Sequence, residues 1–125
     1  MTDRVQQFID ALGKLEADSD VDTIAGLFAD GADISNPLTK HAGEGEAGAA
    51  TFWSSYRTTF DTIRSTFRNI VEAGDVACLE WTSEATIKGQ DVRYGGVSVL
   101  EFGEGGLTAF RTYFDPATLG QQVKR

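Results

Sequence analysis

The stretch from Ser65 to Asp115 constrains this chain most. It holds four successive strand-like runs separated by turn signals at Gly74-Asp75, Lys88 to Asp91 and Gly103 to Gly106. Runs so closely spaced predict an antiparallel meander. A sheet must cover its apolar face, and the residues before Ser65 read as helices with one short strand. The expectation is an α+β cone with an interior.

Alternation assigns the faces. Between Ala77 and Ile87, Leu79, Trp81, Ser83, Ala85 and Ile87 oppose Glu80, Thr82, Glu84 and Thr86, which places the first set inward. Tyr94, Gly96, Ser98, Leu100 and Phe102 share one face of the next run, with Val97 and Val99 on the other. The last run separates Phe110, Thr112 and Phe114 from Arg111, Tyr113 and Asp115. Apolar residues therefore occur on both faces, which predicts a homodimer formed through the sheet. Gly95-Gly96 has a second reading as a bulge, which shifts the later faces by one.

Upstream, Val5, Phe8, Ile9, Leu12 and Leu15 fall at helical spacing and predict an amphipathic helix over Asp3 to Ala17. Ser19 and Asp22 match a capping box, with Val21, Ile24, Leu27 and Phe28 following on one face until Gly31 ends a second helix. Ala32 to Asn36 reads as a short strand that Pro37 stops. Gly43 to Gly48 reads as a connector and matches no phosphate-binding fingerprint. A third helix follows over Ala47 to Ile63, with Phe52, Trp53, Tyr56, Phe60 and Ile63 on one side. Those rings suit a core. Trp53 and Tyr56 also suit a pocket wall, since each carries a polar atom that needs a partner.

Composition narrows the function. Among 125 residues, 11 Lys and Arg stand against 19 Asp and Glu, a net charge of −8, so an electrostatic nucleic-acid or anionic-membrane binder is not expected. Asp3 and Arg4 interrupt any signal-peptide core and no apolar run reaches spanning length, which predicts a cytoplasmic protein. Cys78 is the single cysteine and reads as a small core residue. His41, beside Lys40, is the single histidine; it has an acid/base reading and a solvated one. With no second histidine and no spaced carboxylates, neither a metal nor a nucleotide cofactor is expected. Asp115 before Pro116 reads as the cap of a terminal helix bearing Leu119 and Val123. Arg111 has Glu84 or Glu101 as an outer-face partner.

The order helix, helix, short strand ending Asn36-Pro37, aromatic helix and meander closing in Arg111-Thr112-Tyr113-Phe114-Asp115-Pro116 resembles the nuclear transport factor 2-like superfamily, and within it the SnoaL-like group. The markers are Leu27-Phe28-Ala29-Asp30 leading into Asn36-Pro37, and Gly106-Leu107 leading into Tyr113-Phe114-Asp115. The likeness spans nearly the whole chain and implies a single domain over residues 1–125. It implies a cone-shaped α+β fold with N-terminal helices on a curved, mainly antiparallel sheet and a pocket between them. The superfamily includes ketosteroid isomerases, limonene epoxide hydrolases, polyketide cyclases, dehydratases and non-enzymatic modules, so the fold alone does not assign a function.

The catalytic positions carry over one residue at a time. The isomerase base falls on Asn36, its tyrosine on Phe8 and its sheet acid near Ser98, and none of these does that chemistry. The epoxide hydrolase charged trio falls on Trp81, Ser83 and Thr112, with Asn36 alone retained from the water-holding pair. The cavity-facing Asp or His of the cyclases has no counterpart in the inward set. The expected lining is the aromatic set Phe8, Trp53, Tyr56, Trp81, Tyr94, Phe110 and Phe114, with Asn36, Ser83, Ser98 and Thr112 as sparse polar contacts. This reads as a protein that binds a small hydrophobic, oxygen-bearing molecule. Two alternatives stay open: an isomerase, cyclase or dehydratase acting on a terpenoid, steroid-like or polyketide substrate through His41, Asn36 or Tyr56, and an interaction module whose aromatic side chains fill the interior.

Overall fold

A computed structural model describes residues 2–37, 40–41 and 45–122, with the backbone alone at 40–41 and 45–47. Helices α1 (Asp3–Asp18), α2 (Val21–Ala25), α3 (Gly45–Thr58) and α4 (Pro116–Gln122) surround a sheet of β1 (Phe28–Ser35), β2 (Lys40–His41), β3 (Thr62–Ala73), β4 (Val76–Ile87), β5 (Gln90–Gly103) and β6 (Gly106–Tyr113). The sheet order is β2-β1-β6-β5-β4-β3, antiparallel except where β1 runs parallel to β6. The meander thus forms as its turns predict, and β1 extends it on the β6 side. No described helix is long and apolar enough to cross a membrane.

The α1 stripe buries Val5, Phe8, Leu12 and Leu15 against the sheet. Its first turn is tied to the β3–β4 hairpin: the Thr2 amide donates to Glu72 at 2.7 Å, and Arg4 donates to the Gly74 carbonyl at 2.9 Å. Arg4 also lies 4.4 Å above the Phe102 ring. These contacts fix where α1 crosses the sheet, and so where its far end arrives.

Several boundaries differ from expectation. Ser19 ends α1 in a left-handed conformation, and Asp20 caps α2 by accepting from the Thr23 amide. The capping box on Ser19 and Asp22 is therefore displaced by one residue. Helix α2 stops at Ala25, not at Gly31, because Phe28 pairs with Leu107 and buries its ring beside Trp53 and Phe110. Helix α3 starts at Gly45, inside the expected connector, and ends at Thr58, so Phe60 follows it and Ile63 belongs to β3. Residues 42–44 and Val123 lie outside the described residues. Cys78 sits half-exposed on the outer face between Val71 and Val99, not in the core, because the alternation that buries Ala77 and Leu79 turns it outward. Asp115 caps α4 as expected, accepting from the Ala117 amide at 2.9 Å, and Arg111 pairs with Glu101 across the outer face.

No bulge forms at Gly95-Gly96: β4 and β5 pair in continuous register from Val76↔Glu101 to Ile87↔Gln90. Register shifts fall instead in β3 between Phe67 and Ile70, where Asn69 adopts φ 26°, in the β5–β6 pairing between Glu101 and Phe102, and in the β1–β6 pairing between Phe28 and Asp33. Gly96 is needed for clearance. It stands opposite Trp81, and a Cβ there would lie 2.7 Å from the indole and 2.3 Å from the Tyr113 carbonyl oxygen. Gly96→Ala is expected to cost about 2 kcal/mol or more, at the upper end of overpacking penalties. Exposed Gly13 within α1 has open space around it, so Gly13→Ala gains roughly 0.5–1 kcal/mol from helix propensity alone. Urea denaturation of both variants checks the opposite signs.

Candidate functional site

A cavity of about 180 Å³ lies between the inner face of the sheet and helices α1, α3 and α4. All eleven residues that the sequence assigns to a pocket line it. Helix α1 supplies Phe8, the end of β1 supplies Asn36, and α3 supplies Trp53 and Tyr56. The period of two in β4, β5 and β6 brings in Trp81 and Ser83, Tyr94 and Ser98, then Phe110 and Thr112, with Phe114 just beyond. Two sets of rings pack edge to face, except for the tilted Phe8–Phe110 pair. Phe110 stands 5.6 Å from Phe8 and 5.0 Å from Trp53, while Trp81 and Phe114 each lie within 5.2 Å of Tyr94.

The polar atoms of the wall form two chains. In one, the Trp81 indole donates to Ser98 at 3.0 Å, Ser98 donates to Thr112 at 2.9 Å, and Thr112 points to the Val97 carbonyl at 3.4 Å. The other ends on Glu16, which is only 6% exposed. Its Oε1 accepts from the Ser65 amide at 2.8 Å, and its Oε2 accepts from both the Tyr56 phenol and the Ser65 hydroxyl at 2.6 Å. Ser65 in turn meets Ser83 at 2.6 Å. One donor stands apart. The Trp53 indole N–H is buried and has no hydrogen-bond partner among the described residues.

Burial, then the Glu16 charge, pushes the Tyr56 phenol well above its ordinary value, and the same two causes raise Tyr94. Both remain protonated donors across the physiological range.

Glu16 is the residue that the sequence reading missed. It falls four residues after Leu12 and eight after Phe8, on the apolar stripe of α1, so its spacing already pointed inward. Ser65 and Phe67 line the cavity too, on the regular alternation Ile63, Ser65, Phe67 that precedes the β3 bulge; assigning Ile63 to the helix hides that face. Phe60 and Leu119 also line the cavity. Of the acid/base candidates, Asn36 and Tyr56 reach the cavity, whereas the His41 side chain lies outside the described residues. No group of three His, Cys, Asp or Glu residues converges among the described residues.

The chain matches the model of the SnoaL-like domain family over residues 5–111. No curated protein matches it in sequence. Among solved structures, an epoxide hydrolase of M. tuberculosis, described as LEH-like, superposes at TM-score 0.72 with 20% identity, over 92% of this chain and 85% of that one. TerC, co-crystallised with polyporic acid, superposes at 0.78 with 20% identity, over 97% and 98% of the two chains. A nuclear transport factor 2-like protein of unknown function from Burkholderia pseudomallei superposes at 0.80 with 17% identity over 100% of both. Identities this low establish the shared cone fold and carry no activity across.

The raised phenols set an alkaline limit on stability. Their protons stay on in the folded state and leave the unfolded chain near the ordinary tyrosine value of about 10. Stability held below that pH is therefore lost as pH rises above it. Urea midpoints measured from pH 8 to 11 are expected to fall above pH 10, and less steeply in Tyr94→Phe.

Proposed function

Given that the chain belongs to the SnoaL-like domain family, we propose that it binds a small hydrophobic, oxygen-bearing molecule in the cavity between sheet and helices. The observation that carries this reading is the largely aromatic cavity with a few hydroxyl groups in its wall. Voids in a close-packed interior are costly. The same space speaks against the filled interaction module.

Size narrows the occupant. An apolar cavity of about 150 Å³ holds benzene, and drug-sized pockets begin near 300 Å³. A single-ring terpenoid or aromatic polyketide fragment fits better than a fused four-ring steroid. That TerC, of the same fold, was co-crystallised with polyporic acid supports this use of the cone.

A second reading, an isomerase, cyclase or dehydratase, is favoured by one feature. The buried Glu16 carboxylate in contact with the cavity residue Tyr56 is an acid/base pair placed outside the positions that the isomerases and epoxide hydrolases use.

The homodimer belongs to this proposal. Val71, Val97 and Tyr113 are 62%, 38% and 55% exposed on the outer face, flanked by the Arg111–Glu101 and Arg68–Glu80 pairs. Apolar residues bordered by both charge signs make a surface that complements its own copy under a two-fold axis. A Val71→Lys, Tyr113→Arg double variant is expected to halve the mass seen by light scattering; an unchanged mass removes the sheet as the interface.

Single-ring oxygenated compounds are expected to raise the thermal midpoint, by the equivalent of about 2.7 kcal/mol at a hundredfold excess over Kd. Thr59→Trp, placed at the cavity wall, is expected to abolish that rise. A panel of phenols, cyclic alcohols and cyclic ketones that leaves the midpoint unmoved contradicts the reading.

A further inference from the structure

We propose that the cavity selects its ligand by hydrogen-bond direction: the wall backed by Glu16 receives a ligand hydroxyl as a donor and disfavours a carbonyl of the same shape. The inference rests on the reading that the cavity binds a small molecule, and deepens it by naming the class, a single-ring alcohol or phenol.

A carboxylate only accepts. With Glu16 Oε2 facing both hydroxyls at 2.6 Å, the protons of Tyr56 and Ser65 point to it and away from the cavity. Ser65 has no second proton, so Ser83 must donate to Ser65 across their 2.6 Å contact. The other chain behaves alike: Ser98 gives its proton to Thr112, and Thr112 directs its own to the Val97 carbonyl. Five hydroxyl oxygens of the lining thus offer lone pairs, not protons, to whatever enters. The Tyr94 phenol is the opposite pole, a protonated donor elsewhere in the lining. A hydroxyl satisfies the Glu16 wall, because it donates one bond and accepts others. A carbonyl or ether oxygen meets only lone pairs there.

Glu16 sets this polarity, so changing its chemistry at constant shape should invert it. In Glu16→Gln the amide oxygen must stay on the Ser65 N–H, since the reverse orientation sets donor against donor. The amide NH₂ then donates to Tyr56 and Ser65, whose hydroxyl protons are released toward the cavity. The wall becomes a donor.

Calorimetric titration of 4-methylcyclohexanol, 4-methylcyclohexanone and p-xylene into the full chain and its Glu16→Gln variant tests this. The native protein is expected to bind the alcohol at least tenfold more tightly than the ketone. Glu16→Gln is expected to shift that ratio at least tenfold toward the ketone, while p-xylene binds both proteins alike. Tyr56→Phe, which removes one acceptor and leaves the Ser65 bonds in place, is expected to weaken the alcohol severalfold and leave the ketone within twofold. It decides the matter if the Gln variant does not fold. Equal binding of alcohol and ketone, or a ratio that Glu16→Gln and Tyr56→Phe leave unchanged, overturns the selection while the cavity reading stands. Failure of all three probes, p-xylene included, overturns both.

Discussion

Glu16 accepts from the Ser65 amide, the Ser65 hydroxyl and the Tyr56 phenol, and so joins the end of α1 to α3 and to the start of β3. Burying a lone carboxylate costs several kcal/mol. Three bonds to the charged form offset that cost, being stronger than neutral ones. The arrangement ties both helices to the strand beside the cavity.

The cavity itself follows from how large rings meet a concave surface. Phe8, Phe52, Trp53 and Phe110 pack around one another on the α1 and α3 side, edge to face except for the tilted Phe8–Phe110 pair. Trp81, Tyr94 and Phe114 pack edge to face over the meander. Tyr56 and Phe60 link the two sets from Trp53 to Tyr94, so rigid rings border the cavity on several sides. Gly96 contributes by absence, since the Trp81 indole occupies the volume where its side chain would be. The polar atoms that remain are few, and nearly all are fixed by one another.

Much of this was legible in the sequence because a strand repeats every two residues. Trp81 and Ser83, Tyr94 and Ser98, Phe110 and Thr112 each arrive in the cavity on that period, and the outer valines depart on it. What period alone does not encode was misread. Phe28 fits a helical stripe as well as a strand, and its parallel pairing with Leu107, far along the chain, decides the matter. In β3 the alternation Ile63, Ser65, Phe67 is regular up to the bulge, but Ile63 also fits the stripe of the preceding helix, which hides the inward face of the strand. Glu16 went unread on the stripe of α1; its three donors come from α3 and β3, which the pattern of α1 does not contain. The familiar catalytic positions carry Asn36, Phe8 and Ser98, while the one buried carboxylate among the described residues comes from the end of α1.

The central claim is that the interior is a ligand cavity. The most direct test follows the two indole N–H resonances in a ¹H–¹⁵N spectrum, assigned with Trp53→Phe, as a single-ring alcohol is added. Trp53 and Trp81 both line the cavity, so the account predicts that both resonances shift in proportion to its occupancy. No movement of either at saturating ligand contradicts it.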